Sequence, residues 1–315
     1  MDLGGTMDSI LSKKLSFLLV TFLMCLLFVG EVSAQSGTSS IKGTVNDQNG
    51  AIVAGATVKL SNPATGFART TVSDDDGKYS FPSIPPATYK LEVSAPNFKT
   101  TVRADAQAAV DSISEINFSL EAGDINAVVN VTSSNIESIV NTQDASIGNN
   151  FVPKQIIDLP TNLRRVNDLL TLQPGVTREG YVNGGRSDQS NITLDGVDIN
   201  DQQDGGRSGG QFSTTQNSVL RATTESVEEF RITTSNANAN QGRSSGAQIS
   251  LVTKSGTNEF KGSAFYFYRP TAFSANDFFN NLSSVERPSL SRDVFGGSVG
   301  GPIVKDRWHF YTGYE

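Results

Sequence analysis

Between residues 41 and 120 the chain repeats one pattern: a short run of alternating apolar and polar residues, then a cluster of Gly, Pro, Asn or Asp. The runs are Ile41–Val45, Ala56–Leu60, Phe67–Val72, Lys78–Phe81, Tyr89–Val93, Lys99–Arg103 and Ile113–Leu120. Turn clusters fall at Asn46–Gly50, Asn62–Gly66 and Asp74–Gly77. Alternation with period two puts one set of side chains on one face of a strand. Turns this closely spaced leave no room for long helices, so the segment is restricted to a β-sandwich of about seven strands. Pro82, Pro85, Pro86 and Pro96 fall at the margins of the runs, where a missing N–H does no harm. Tyr79, Tyr89 and Phe98 read as core side chains, and Gly77 as the positive-φ residue of a tight hairpin. A cation-loop reading of Asp74-Asp75-Asp76-Gly77 fails, because an EF-hand needs Glu at its twelfth position and Pro85 stands there.

Composition narrows function. Charged residues are 18% of the chain and the net charge is −7, so no basic excess exists to neutralise phosphates and nucleic acid is not an expected partner. One cysteine and one histidine exclude a disulfide framework, a Cys-based metal site and a two-His metal triad. The usual general acid–base residue is nearly absent, so an enzyme is not expected, and neither is a cofactor.

Lys13 and Lys14 precede an apolar run from Leu15 to Val29, followed by Val32-Ser33-Ala34. This is the order of a secretory signal peptide, with cleavage expected after Ala34. The rival reading, a membrane anchor, is weakened by the short run and the small-residue exit. Cleavage would remove Cys25 and leave a Cys-free mature chain.

Residues 41–93 contain Gly43, Gly50, Gly55-Ala56, Gly77, Tyr79, Phe81, Pro85 and Tyr89 in a spacing that resembles the carboxypeptidase regulatory-like domain. The resemblance implies a transthyretin-like sandwich that is not itself a peptidase. Related sandwiches bind glycans through exposed aromatics, which keeps a secreted carbohydrate-binding or adhesion module open as a rival function.

Beyond Gly123 the chain changes character. Ile125–Val131 is a short apolar stretch and 133–149 is polar. Asn167 or Asp168 can cap a short helix that stops before Pro174. Asn191–Asp198 reads as strand, turn and strand, with Asp195-Gly196 as turn chemistry. The Gly- and Gln-rich stretch 200–218 reads as a loop. Glu225–Ile232 reads as a helix-to-strand unit, and Ala247–Lys254 as a strand. The stretches IIDLPTNLRRVNDLLTLQPGV, NGGRSDQSNITLDGV and ESVEEFRITTSNANANQGRSSGAQISLVTKSGTN resemble the plug domain of TonB-dependent outer-membrane receptors of the Oar-like branch. One departure is Asn162-Leu163-Arg164, where the family often has Asn-Gly-Arg.

That resemblance implies roles. A plug fills a barrel lumen and meets a polar wall. Arg186, Arg221, Arg231 and Arg243 are candidates for pairing with it, against a plain reading as solvated charge. Asp198, Asp201, Gln203, Asp204, Arg207 and Gln211 are candidates for a ligand-facing loop. Ile125, Val128, Val129 and Val131 are candidates for a coupling segment that recruits a TonB-type energy-transducing protein in the periplasm by strand addition. The competing reading of the same stretch is a last sandwich strand or a linker.

From Phe260 to Tyr268, aromatic and small residues alternate with Lys261, Ser263, Phe265 and Phe267. After an expected loop at Asn276–Asn281 comes Arg292–Val304, then a turn at Lys305–Arg307 and Trp308–Tyr311. The aromatic density resembles outer-membrane strands near an interfacial girdle. Gly296–Gly301 lacks the Lys-Ser/Thr ending of a phosphate loop and fits small residues where a barrel wall abuts a plug. Segment 258–315 holds roughly three strands, fewer than the eight or so that close a barrel, so a longer protein is expected.

The expectation is therefore a mainly β chain: a signal peptide at 1–34, a sandwich at 35–122, a linker at 123–150, a mixed α+β plug at 151–257, and the first strands of an incomplete transmembrane β-barrel at 258–315. It is expected in the outer membrane of a Gram-negative-type bacterium with the sandwich periplasmic. Its expected partners are a TonB-type protein, outer-membrane lipid, and an unidentified small ligand, glycan or peptide.

Overall fold

The computed structural model describes residues 37–124, 127–131, 145–159, 164, 166–177, 180–185, 189–200, 222–239 and 241–315. The expected signal peptide lies outside the described residues. None of the described helices is long and apolar enough to cross a membrane.

The sandwich is built from β1 (Ser39–Asp47), β2 (Thr57–Asn62), β3 (Phe67–Val72), β4 (Lys78–Ile84), β5 (Ala87–Ser94), β6 (Thr100–Ala108), β7 (Ile113–Glu115), β8 (Phe118–Leu120) and β9 (Val128–Val131). One sheet runs β3-β2-β5-β6-β9. In the other, β1 lies between β4 and the β7 and β8 strands. The alternating side chains of both sheets meet in one core, which includes Ile41, Val58, Leu60, Phe81, Ile84, Tyr89, Leu91 and Leu120. Full burial of each large apolar side chain is worth about 1.5–3 kcal/mol. Tyr79 and Tyr89 lie in this core as expected, and Phe98 packs against it. The hydroxyl of Tyr79 donates to Ile116 O at 2.6 Å. Burial raises both phenols, and Tyr89 reaches about 12.

Glycine is required at two sandwich positions. A Cβ on Gly43 would sit 1.8 Å from Ile116 O and 2.9 Å from the Tyr79 ring, so only a bare backbone lets β1 approach β7 and β8 here. Gly77 turns the β3–β4 connection at φ 70°, while the Asp74 carboxylate accepts from the Asp76 and Lys78 N–H groups.

Two details differ from the sequence reading. The run Ile113–Leu120 is split into β7 and β8, because the Asn117 carboxamide takes over as acceptor for Thr44 N at 2.8 Å. Pro82 lies inside β4 rather than at a margin. It is tolerated because the β1–β4 register shifts between the Phe81 and Ile84 pairings, so no ladder donor is lost.

The central body is a five-stranded sheet in the order β10-β13-β14-β11-β12. It comprises β10 (Ile147–Phe151), β11 (Asn191–Leu194), β12 (Val197–Asp198), β13 (Val227–Ser235) and β14 (Gln248–Thr253). Helix α1 (Pro153–Asp158) and a 3-10 segment at Val166–Leu172 cover it, burying Ile156, Leu169 and Leu170 with Phe151, Ile192, Phe230, Ile232 and Ile249. The expected short helix is thus a 3-10 segment that begins at Val166, ahead of Asn167 and Asp168. The expected helix-to-strand unit reduces to a 3-10 turn at Thr224–Ser226 followed by strand, because Val227, Glu229 and Phe230 are drawn into the sheet. Asp195-Gly196 is a turn as expected, with φ 50° and 81°. Its carboxylate also accepts from the N–H and hydroxyl of Thr253, both at 2.8 Å, tying the β11–β12 hairpin to β14.

A third, antiparallel sheet runs β15-β16-β17, from β15 (Lys261–Pro270) through β16 (Ser291–Val304) to β17 (Trp308–Tyr314). The loop expected at Asn276–Asn281 contains a one-turn helix, α2 (Phe278–Leu282), whose N-cap Asp277 accepts from Phe279 N at 2.8 Å.

The sandwich docks on the central body through the turn after β6. Val110 N donates to both Glu229 carboxylate oxygens at 3.0 Å. The Asp111 carboxylate accepts from the Ser250 hydroxyl and from Gln241.

Candidate functional site

The two faces of β15–β17 differ in kind. Pairing of Tyr266 with Phe295 and of Gly297 with Tyr314 lines one face with Tyr266, Tyr268, Phe295, Trp308 and Tyr314, all exposed. The other face carries Ser263, Phe265, Phe267, Gly296, Ser298, Tyr311 and Gly313, and it meets the central body.

At the centre of that contact is Arg164. Its Nε lies 3.3 Å from Glu315 Oε1 and its Nη2 lies 3.6 Å from Glu225 Oε1, with all three side chains largely buried. The guanidinium also stacks over the Phe265 and Phe267 rings, at 4.8 and 4.5 Å from their centroids. Glu225 is held from both sides: Ser263 Oγ donates to its carboxylate at 3.2 Å, and the Tyr311 hydroxyl donates to its backbone O at 2.7 Å. The Thr224 hydroxyl donates to Arg164 O at 2.6 Å. One cation thus joins two carboxylates and two rings across the contact, where reduced solvent makes each interaction stronger than at a surface. The small residues serve close approach. A Cβ on Gly313 would sit 2.7 Å from Ser226 Oγ, and one on Gly296 would sit 2.6 Å from the Phe265 ring.

At the far end of the sheet, Asn258 links three segments. Its N–H donates to Ala64 O at 2.8 Å, its carboxamide bonds Asp306 side chain and backbone, and its Oδ1 lies 3.0 Å from His309 Nε2. The β2–β3 turn of the sandwich therefore rests on the β16–β17 turn.

Comparison with known proteins follows these units. The carboxypeptidase regulatory-like domain family matches residues 40–121, and the outer membrane beta barrel domain family matches residues 252–315. The TonB-dependent transporter Oar of Myxococcus xanthus is 27% identical over an alignment of 313 residues that covers 92% of this chain and 27% of the relative. The chain is homologous to TonB-dependent receptors. It spans about a quarter of that relative's length. Localisation to the outer membrane follows from the barrel match and the relative. Among solved structures, the siderophore receptor PirA of Acinetobacter baumannii is 21% identical with a TM-score of 0.36, covering 50% of this chain and 22% of that one. Its counterpart from Pseudomonas aeruginosa is 18% identical with a TM-score of 0.35, covering 50% and 24%.

The residues singled out from sequence in this receptor homologue fall as follows. Arg243 and Asp198, assigned to different roles, form an ion pair with each other. Asp198 also accepts from Asn200 N at 2.9 Å. Arg231 lies in β13 between Asn150 and Ser250, near the Glu229 charge, and not at the β15–β17 contact. Val128, Val129 and Val131 form β9, parallel to β6. Ile125, Arg186, Arg221, Asp201, Gln203, Asp204, Arg207 and Gln211 lie outside the described residues.

Sequence reasoning missed Arg164, Glu225 and Glu229. Burial pushes the Glu229 carboxyl up to about 7, against the lowering pull of the Val110 N–H bond, Asn150 and Arg231. Nothing in the local pattern marks these three.

Proposed function

We propose that the chain forms the plug and the opening wall strands of an energy-coupled outer-membrane transporter, with the sandwich on its periplasmic side. In this reading the central body, 145–257, is the plug and β15–β17 belong to the barrel wall. Residues 125–131 recruit a TonB-type protein, and the segment beginning at Asp198 faces the ligand. Arg186, Arg221, Arg231 and Arg243 remain candidates for wall contact beside Arg164. The transported ligand is a small molecule, glycan or peptide.

The observation that carries the reading is the inverted patterning of β15–β17. Tyr266, Tyr268, Phe295, Trp308 and Tyr314 cover one face, all exposed, while on the other Ser, Gly and the Arg164–Glu225 cluster pack with Phe265 and the half-covered Phe267. A soluble sheet hides its aromatics, whereas a barrel wall turns them to lipid. Connection lengths agree: β15 and β16 are joined by the long segment 271–290, and β16 and β17 by the tight turn 305–307. This is the asymmetry of outer loops and periplasmic turns. The buried positions of Tyr79 and Tyr89 remove them as glycan-stacking platforms.

The test is binding of a TonB-type periplasmic domain to the full protein purified from outer membranes. Binding by the intact protein and its loss on deletion of 125–131 are expected. A protein that fractionates with the outer membrane but binds no such domain refutes the coupling role.

A further inference from the structure

The sandwich sheet ends in a strand that arrives from outside the domain. After β8 the chain reverses: Lys99 N donates to Glu121 O at 2.8 Å, Gly123 N to Asn97 O at 3.0 Å, and Ala127 N to Asp124 O at 2.9 Å. An ion pair between Lys99 and Glu121 at 2.9 Å closes the same corner. The chain then runs back along β6, where Thr100 N donates to Ala127 O at 2.9 Å. Thr100, Thr101, Val102 and Arg103 pair in parallel with Val128, Val129, Asn130 and Val131.

Three features of this pairing bear on recognition. First, β9 is the last strand of its sheet among the described residues. Its outward N–H and C=O groups therefore form an edge of the kind that accepts another extended chain. Second, β9 lies on a fixed platform. The opposite edge of β6 is paired to β5, and the turn that follows β6 is fastened to the central body through Val110–Glu229 and Asp111–Ser250. Third, a free four-residue segment would lose conformational entropy on becoming a strand at the moment of binding, whereas a segment held as β9 is ordered beforehand.

We infer that the sandwich presents residues 128–131 as a preformed edge strand, and that an extended strand of the TonB-type periplasmic domain adds to the outer edge of β9 while β9 stays on β6. The inference rests on the coupling role proposed above. It differs from a sequestered segment, which would have to leave β6 before any partner could bind. The sandwich then serves as the platform on which coupling starts.

The experiment is a reversible lock. Thr101 and Val129 are register partners, and neighbouring strands bring such pairs within disulfide range. In the full protein carrying Cys25→Ser, the double variant Thr101→Cys/Val129→Cys is oxidised, and binding of the TonB-type periplasmic domain is measured before and after reduction. The expected result is a crosslink that forms readily and leaves affinity within about twofold of the reduced form. A loss of tenfold or more that reduction restores overturns presentation and shows that the segment must leave β6. Failure of the crosslink to form overturns the placement of β9. Absence of binding by the unsubstituted protein refutes the coupling role itself, and crosslinking then reports on β9 alone.

Discussion

Glu229 makes the docking of sandwich on central body depend on pH, and the sign is fixed by burial. The carboxyl accepts the Val110 N–H with both oxygens at 3.0 Å, yet burial outweighs that bond and raises its ionisation to about 7 from 4.5. Between those values the folded state holds a proton that the unfolded chain has released. Stability therefore falls as pH rises through this window, by up to about 1.4 kcal/mol per pH unit and about 3 kcal/mol in all. The contribution is fully present below 4.5 and is lost once pH passes 7. Glu229→Gln keeps a carbonyl for Val110 N–H and never ionises. Relative to the parent it should be close to neutral at pH 5 and more stable by about 2–3 kcal/mol at pH 8, the difference growing as pH rises between them. Hydrogen exchange of a peptide spanning 106–112, compared between variant and parent at each pH so that intrinsic rates cancel, reads the opening of this contact. Equal pH slopes in the two proteins, or a variant less protected at pH 8, would refute the reasoning.

Further outcomes follow from the other contacts. Arg164→Met should cost about 3–5 kcal/mol, because it leaves Glu225 and Glu315 as buried charges without their cation. Arg164→Lys should recover only part, since an ammonium cannot fork between carboxylates and stack on Phe265 and Phe267; denaturant midpoints followed at the Trp308 fluorescence order the three proteins. Gly43→Ala should cost more than the roughly 1–3 kcal/mol of ordinary overpacking, since its Cβ would meet Ile116 O at 1.8 Å; thermal melting of the protein, with a control at exposed Gly242, where a Cβ meets nothing within 4 Å, decides it. Phe295→Arg, on the exposed aromatic face, should oppose membrane insertion by about 2–4 kcal/mol, read as the folded fraction recovered in lipid vesicles.

What could be read in the sequence follows the range of the interactions. The sandwich was legible because its information is local: alternation within each run fixes the buried face, and Gly77 and Asp74 fix a hairpin within five residues. The alternation along β15 was legible for the same reason, but which face meets the central body was not, since neighbours Phe265 and Tyr266 are both aromatic and only the structure makes one half-buried and the other exposed. Where strands broke or shifted, the cause was a single side chain acting across the sheet, as Asn117 does on Thr44, and period-two reasoning carries no such information.

The charged contacts were not legible because their burial exists only after docking. Glu229 meets a backbone N–H 119 residues away, and Arg164 meets a carboxylate 151 residues away. In the local pattern each is one more charge on a polar face, the same pattern that marked Arg243, whose side chain is 62% exposed in its pair with Asp198. What separates them is the apolar partner brought by the other unit: Phe265 and Phe267 over Arg164, and the Ala109–Val110 turn over Glu229. A charge therefore becomes a candidate for holding two units together when a distant aromatic or backbone segment needs a polar floor. Strand β9 obeys the same logic. Its valines read equally well as a linker or a last strand, and only the open edge of β6 decides that the segment enters the sheet.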